Sequence, residues 1–350
     1  MTRTAFIFPG QGSQRVGMGR DLAERYPELA GSVFRAADEL LGFELSRLCW
    51  EGPADELRRT DITQPAIFVT SMAAYRVWAA HAPRPVAVAG HSLGEYAALV
   101  AAGVLDWTVA LGLVRRRGEL MARVNETTPG AMAAVMGLAA ESVEALCSDL
   151  SGAVVDVGPG GDVGPGGDGG PGGDGGDGVD VVEVANYNDD EQTVVSGTVG
   201  GVEALSRAVR KKADPAVKVV RLDVGAPFHC SLMRPVEEQF SADLDAAAFA
   251  DPSVPVVANV TAAPVWTGAA ARAALQAQLA GSVRWRQSMR TLVDLGVETF
   301  VELGPGRVLS GLARRSHPEV PCHPTSDVRR MEKAIGELGA GEFVGAAVRP

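Results

Sequence analysis

The residue best suited to covalent chemistry in this sequence is Ser92, within Gly90-His91-Ser92-Leu93-Gly94. The apolar run "VAVA" precedes this segment and "EYAALVAAG" follows it, so the serine is predicted at a turn between a strand and a helix. Such a turn exposes the hydroxyl beside a helix N-terminus, whose free N–H groups stabilise an oxyanion. A glycine-rich turn with Ser92 as a helix cap has the same pattern. The segment alone leaves both interpretations open.

A serine nucleophile needs a base, and histidine is the usual one. His229, in "GAPFHCSLM", follows the last strand of a predicted small unit, and ligand sites are frequent at domain junctions. His91 adjoins Ser92, so its side chain is expected to point away from the hydroxyl, and His81 is expected to be exposed after a helix. An ordinary α/β-hydrolase would instead use a late histidine, as in "HPEVPCHP". The complete set is His81, His91, His229, His317 and His323.

The segment "FPGQGSQRVGMG" (8–19) is rich in glycine. It lacks the third glycine of the dinucleotide-binding pattern and the lysine of a phosphate-binding loop. A turn that presents backbone N–H groups, such as that of Gln11, to an oxyanion fits the segment better.

Three consecutive arginines, Arg115, Arg116 and Arg117, lie on a predicted helix over 108–126. Successive helical residues point about 100° apart, so at most two of the three can face a cleft. Without further context, an arrangement with all three in solvent is equally compatible with the pattern.

Strands and helices alternate in the first part of the chain, which predicts a parallel α/β sheet. A strand is predicted at 4–8, a helical pattern at 17–50, a helix at 64–81, a strand at 85–90 and a helix starting at Leu93. Residues 129–224 change to the order βαββαβ, which is typical of a ferredoxin-like unit. We therefore predict a large domain formed by 1–128 and 225–350, with a small domain at 129–224 inserted into it.

A glycine-, aspartate- and proline-rich segment at 156–180 includes "GPGGDVGPGGDGGPGGDGGDG". Its end matches one calcium-binding nonapeptide, but a single copy cannot stack into a β-helix. The composition predicts a flexible solvated loop between the first helix and second strand of the small domain.

Composition narrows the classes of partner. A net charge of −11 argues against nucleic acid as a bulk partner. No apolar run reaches the roughly 18 residues of a membrane span, and the first residues lack the apolar core of a signal peptide. Four dispersed cysteines without C-x-x-C spacing suggest neither a disulfide scaffold nor a zinc site, which favours a reducing cytoplasm.

Several segments together resemble the malonyl-CoA:acyl-carrier-protein transacylases and the related acyltransferase domains of polyketide synthases. The resemblance extends from Phe6 to about Arg315. It implies an α/β-hydrolase-like core with a parallel sheet and an inserted ferredoxin-like domain. The segments that carry it, in order, are "FPGQGSQRVGMG", "TQPA", "AGHSLGEYAALVAAGV", "RRRGELM", "GAPFHCSLM" and "VELGPGRVLSGL".

The resemblance implies roles for residues at the matching positions. Ser92 would be the nucleophile and His229 its base, with Gln11 and Leu93 supplying oxyanion-hole N–H groups. Arg117 would pair with the free carboxylate of a malonyl group, for which a planar guanidinium is well suited.

Three further positions follow from the same resemblance. The backbone carbonyl of Gln278 would orient the histidine, so no aspartate is needed as a third member. Asn188 would line the cleft from the small domain. Phe228, together with Leu93, matches the malonyl-selective pattern rather than the methylmalonyl-selective one.

The implied reaction moves malonyl from malonyl-CoA to the phosphopantetheine thiol of an acyl carrier protein, through an acyl-serine and without a metal or redox cofactor. It would serve fatty-acid or polyketide synthesis in the cytoplasm, without a nucleic-acid or membrane partner. The alternatives are a serine hydrolase that clears carrier-bound thioesters, or the same transfer with methylmalonyl or ethylmalonyl. Carrier proteins are usually acidic, so we expect a local basic docking patch; the candidates are Lys211, Lys212, Arg284, Arg286 and Arg290.

Overall fold

The computed structural model describes residues 2–151, 180–211 and 215–339, which form two β-sheets with helices around them. The strands are β1 (Thr4–Phe8), β2 (Ala87–Gly90), β3 (Ala131–Met136), β4 (Val182–Tyr187), β5 (Gln192–Gly197), β6 (Lys218–Arg221), β7 (Val256–Val257), β8 (Pro264–Val265), β9 (Thr299–Glu302) and β10 (Cys322–Pro324).

Fourteen α-helices occur in the described ranges. They are α1 (Arg20–Arg25), α2 (Ser32–Leu41), α3 (Leu45–Glu51), α4 (Ala54–Arg58), α5 (Thr60–His81), α6 (Gly94–Ala101), α7 (Trp107–Thr127), α8 (Ala140–Leu150), α9 (Val199–Lys211), α10 (Arg234–Ala246), α11 (Gly268–Gln276), α12 (Trp285–Asp294), α13 (Val308–Ser316) and α14 (Val328–Leu338). A π-helical turn spans Pro27–Gly31 and a 3-10 turn spans Ser231–Met233.

The larger sheet has the strand order β10-β9-β1-β2-β7-β8. Its strands are parallel except for the edge pair β7–β8. Every residue of β1 and β2 is buried, because helices cover both faces, and this explains why these strands are continuous apolar runs. The predicted α/β core with a parallel sheet is confirmed, with an antiparallel edge added to it.

The smaller sheet is antiparallel, with the order β4-β5-β3-β6. Together with α8 and α9 it has the βαββαβ order that the sequence predicts, so the ferredoxin-like unit is confirmed. The domain limits at 128/129 and 224/225 remain predictions. The predicted flexible loop at 156–180 lies outside the described residues, except for Asp180.

The two sheets meet through backbone hydrogen bonds beside β4. Tyr187 N donates to Val283 O (2.9 Å) and Val283 N donates to Ala185 O (2.8 Å). The segment that precedes α12 therefore extends the small sheet, and its Arg284 N donates to the O of Asn259 (2.9 Å), which follows β7 of the larger sheet.

Two local details differ from the expectation. The helical pattern at 17–50 is interrupted, because Gly42 adopts a left-handed conformation (φ 74°) that ends α2, and Pro27 starts a separate π-helical turn. The helix after Ser92 begins at Gly94, with Leu93 as its cap. None of the helices in the described ranges has the length and apolarity that a membrane span requires.

Candidate active site

Ser92 lies in a tight turn between β2 and α6, with a positive φ of 52°. The turn requires glycine on both sides. A Cβ on Gly90 would lie 2.0 Å from the backbone of Gly94, and a Cβ on Gly94 would lie 2.1 Å from Phe8 O. This close packing holds the serine at the carboxyl end of a buried parallel strand, where parallel α/β sheets bind ligands.

His229 is the histidine that meets Ser92, with its Nε2 2.7 Å from Ser92 Oγ. Its Nδ1 lies 3.0 Å from Gln278 O and 3.2 Å from Gly281 O. A carbonyl can only accept, so Nδ1 carries the proton and Nε2 can accept from the serine hydroxyl. Burial lowers the pKa of the His229 imidazole to about 3, and the positive charge of Arg117 adds to this effect. The imidazole is therefore neutral at pH 7.

Arg117 is the one arginine of its run that enters the site. Arg117 is 1% exposed. Arg115 instead pairs with Glu119 on α7, and Arg116 pairs with Asp243 on α10. This arrangement agrees with the expectation that at most two of the three arginines face a cleft. Burial lowers the pKa of Arg117, but a guanidinium stays protonated throughout the physiological range.

Two glutamine oxygens and the serine hydroxyl surround the Arg117 guanidinium. Nη1 donates to Gln64 Oε1 (2.7 Å), while Nη2 donates to Gln278 Oε1 (3.1 Å) and to Ser92 Oγ (3.1 Å). Its Nε has no hydrogen-bond partner among the described residues. Arg117 is thus a buried cation whose hydrogen-bonding partners are neutral, next to the reactive hydroxyl.

Two residues that were not predicted from the sequence, Asn259 and Glu95, hold the Ser92 turn in place. Asn259 Oδ1 accepts from Ser92 N and Asn259 Nδ2 donates to Gly90 O, both at 2.6 Å. Glu95 accepts from Gln278 Nε2 (2.6 Å), and burial raises the pKa of its carboxyl to about 7. A polar residue directly after the apolar strand in "PVVAN" was the available signal for Asn259. For Glu95 it was an acidic residue in an otherwise apolar helix.

Gln11 and Leu93, the expected oxyanion-hole residues, lie on two adjoining segments. A Cβ on Gly10 would lie 2.4 Å from His91 O, and His91 N donates to Phe8 O (2.9 Å). The loop after β1 therefore packs directly against the Ser92 turn. Leu93 directly precedes α6. The next three backbone N–H groups, those of Gly94, Glu95 and Tyr96, donate to carbonyls of the turn, and no described residue accepts from Leu93 N.

Asn188 and Phe228, the remaining predicted site residues, are both buried beside these groups. Asn188 Oδ1 lies 2.9 Å from His91 Nε2, and Asn188 Nδ2 donates to Gln192 Oε1 (2.9 Å). The His91 ring is thus engaged with the small sheet rather than with Ser92, as expected. Phe228 immediately precedes His229.

The other histidines lie elsewhere. His81 is exposed at the end of α5, as expected. His317 pairs with Glu319 and His323 pairs with Glu337, near β10 at the edge of the sheet. The late histidines expected for an ordinary α/β-hydrolase therefore do not meet Ser92.

Comparison with known proteins gives the same family as the sequence pattern. Residues 5–159 match the family described as acyl transferase domain. The malonyl CoA-acyl carrier protein transacylase of Bacillus subtilis (strain 168) is 39% identical over 341 residues, which are 97% of this chain and 98% of that protein. The protein of the same name from Escherichia coli (strain K12) is 39% identical over 96% of this chain and 99% of its own length.

Solved structures of similar proteins point to the same family. FabD from Acinetobacter baumannii superposes with a TM-score of 0.83 at 37% identity, covering 96% of this chain and 98% of that one. A malonyl-transacylase in complex with a type II PKS acyl-carrier protein gives a TM-score of 0.84 at 34% identity, covering 96% and 100%. The resemblance read from the sequence is thus confirmed, and the chain belongs to the malonyl CoA-acyl carrier protein transacylase family.

Proposed function

We propose that this chain transfers a malonyl group from malonyl-CoA to the phosphopantetheine thiol of an acyl carrier protein, through an ester on Ser92. The names of its relatives support this activity. The observation that carries it is that one hydroxyl, Ser92 Oγ, contacts both a neutral imidazole and a buried guanidinium. The imidazole suits proton transfer, and the guanidinium suits an acyl group that ends in a carboxylate.

In the first half-reaction, His229 Nε2 takes the proton of Ser92 Oγ as the oxygen attacks the thioester carbonyl. The carbonyl oxygen becomes an oxyanion, and the backbone N–H groups of Gln11 and Leu93 donate to it. The tetrahedral intermediate then expels the CoA sulfur, which receives the proton from His229. A malonyl ester remains on Ser92.

In the second half-reaction, the thiol of the carrier protein takes the place of CoA. His229 accepts its proton, the sulfur attacks the ester carbonyl, and Ser92 leaves with the proton returned from His229. The carbonyl oxygens of Gln278 and Gly281 keep the Nδ1 proton in place throughout, so Nε2 alone carries protons between Ser92 and sulfur.

In this proposal, Arg117 makes the enzyme selective for an acyl group that ends in a carboxylate. A buried cation with neutral hydrogen-bonding partners attracts an anion strongly, because little water screens it. A malonyl carboxylate supplies that anion and can accept two parallel hydrogen bonds. Phe228 and Leu93 favour malonyl over its methyl or ethyl derivatives by limiting space, an effect of about 1–3 kcal/mol for one methyl group.

Intact-mass measurement of the protein mixed with malonyl-CoA tests the proposal. The wild type should gain one malonyl group, the Ser92→Ala variant none, and addition of phosphopantetheinylated carrier protein should discharge the ester. Absence of the adduct from the wild type, or its presence on Ser92→Ala, would contradict the proposal. Release of free malonate faster than transfer to the carrier would favour the alternative, an editing hydrolase.

The cellular location and the carrier-docking residues are proposed from the family to which the chain belongs. We propose a cytoplasmic enzyme, in line with its four free cysteines. Lys211, Arg284 and Arg290 are exposed and suit an acidic carrier, whereas Arg286 is paired with Glu141 and Asp190. Lys212 lies outside the described residues. Lys211→Glu should raise the KM for carrier protein but not for malonyl-CoA, and an unchanged KM removes Lys211 from the docking patch.

A further inference from the structure

The Glu95 carboxylate is a buried acidic group to which the proposed acyl transfer assigns no step. It is 2% exposed at the start of α6, three residues after Ser92. It accepts hydrogen bonds from Gln278 Nε2 (2.6 Å) and Asn259 N (3.3 Å), and neither donor is charged. Both partners also touch the Ser92 turn. Burial of a carboxylate raises the free energy of the folded state unless the group is well hydrogen-bonded. We therefore expect Glu95 to have a function within this hydrogen-bond network.

Gln278 lies between Glu95 and Arg117. Its Nε2 donates to Glu95 Oε2 and to Ser92 O (3.1 Å), and its Oε1 accepts from Arg117 Nη2 (3.1 Å). A flipped amide would place NH2 against the guanidinium, donor against donor, and oxygen against the carboxylate, acceptor against acceptor. The ionised carboxylate, which predominates above the pKa of about 7, therefore favours a single orientation of the Gln278 amide.

The opposite side of the guanidinium is held less firmly. Gln64 Oε1 accepts from Arg117 Nη1. Among the described residues, Gln64 Nε2 donates only to Met121 Sδ (3.1 Å), and a thioether sulfur is a weak acceptor. Gln278, in contrast, is tied to a carboxylate and to the backbone of Ser92. The side of Arg117 nearest Ser92 is thus positioned through Gln278.

We propose that Glu95 is a positioning residue that acts through the Gln278 amide to hold the Arg117 guanidinium in place for an acyl carboxylate. This inference rests on the proposed malonyl transfer and deepens it. Because Arg117 contacts the carboxylate end of the acyl group, Glu95 governs the preference for malonyl over an acyl group without a carboxylate.

The test is Glu95→Gln, which keeps the shape of the side chain and removes its charge. Rates of acyl-enzyme formation are measured by intact mass with malonyl-CoA and with acetyl-CoA at about pH 8, where the Glu95 carboxyl is mostly ionised. The ratio of the malonyl rate to the acetyl rate should fall about tenfold, the loss typical of one well-placed hydrogen bond to a charged group. The matched control is Glu302→Gln, which removes another buried carboxylate whose partners are Leu309 and Ser310 on α13, and it should keep the ratio.

A double variant separates positioning from general damage to the fold. In an Arg117→Ala background, Glu95→Gln should not change the ratio further, because the group through which it acts is gone. An unchanged ratio in the single variant, or an equal further fall in the double variant, overturns the inference.

Gln278→Met serves if Glu95→Gln does not fold. It removes the amide but keeps the backbone carbonyl that accepts from His229, and it should lower the ratio in the same direction. An unchanged ratio in Gln278→Met also overturns the inference. A wild type that forms no malonyl ester contradicts the proposed function itself, so the two failures are distinguishable.

Discussion

Ser92 Oγ and His229 Nε2 lie 2.7 Å apart although 137 residues separate them in the chain. Both residues have a positive φ, 52° and 62°, which is rare for residues other than glycine. Such strain persists only where surrounding contacts hold it, and it is concentrated at functional sites. Here the contacts are Asn259 on the serine turn and the Gln278 and Gly281 carbonyls on the histidine.

His229→Ala should abolish formation of the malonyl ester, because no other described base contacts Ser92. The expected loss in rate is on the order of 10⁴-fold or more, as for the removal of the base from other serine enzymes. His323→Ala, a late histidine paired with Glu337, is the matched control and should retain the wild-type rate. The measurement is single-turnover mass spectrometry. A strong loss in His323→Ala with little loss in His229→Ala would reverse the assignment of the base.

Arg117→Lys keeps the positive charge but replaces the planar fork with a single ammonium. Malonyl-ester formation should fall by about 10- to 100-fold, since charge-assisted hydrogen bonds contribute about 1.5–3 kcal/mol. Acetyl-ester formation, measured in parallel, should fall much less. An equal fall with both substrates would show that the arginine acts on the fold of the site rather than on the carboxylate.

Because the pKa of His229 is lowered on folding, the free energy of unfolding should decrease at acidic pH. Its pKa is lowered from 6.5 in the unfolded chain to about 3, so the unfolded state binds the proton first. The stabilisation is present above pH 6.5 and is lost as the pH falls toward 3, by about 1.4 kcal/mol per pH unit. The free energy of unfolding of the wild type relative to His229→Gln should therefore decrease from pH 6.5 downward. A difference that stays constant over this range would contradict the lowered pKa.

Gly90→Ala should prevent the Ser92 turn from forming. The new Cβ would lie 2.0 Å from Gly94 backbone atoms, which cannot move without displacing α6, and the expected cost is about 3 kcal/mol or more. Gly112→Ala, at an exposed position of α7 where an added Cβ meets nothing within 4 Å, is the control and should stabilise by about 0.5–1 kcal/mol. Chemical denaturation measures both. Equal stabilities would refute the steric requirement at Gly90.

Local sequence was sufficient for the Ser92 turn and for the two kinds of sheet. The apolar run before Ser92 and the flanking glycines are short-range features, and their steric demands act between neighbours in the chain. The βαββαβ order is likewise a pattern of successive elements. The interruption at Gly42 was not foreseen, because helical periodicity continues on both sides of a single left-handed residue.

Tertiary structure decided which side chains converge on Ser92. From the residues alone, three histidines and three arginines remained candidates, and only the resemblance to a family singled out His229 and Arg117. Asn259, which is 167 residues from Ser92, and the link from Glu95 to Gln278, across 183 residues, were not predicted at all. Local propensity carries no information on contacts across such separations. They are set by the order of the parallel strands and by the packing of the small sheet, which bring distant segments to one edge.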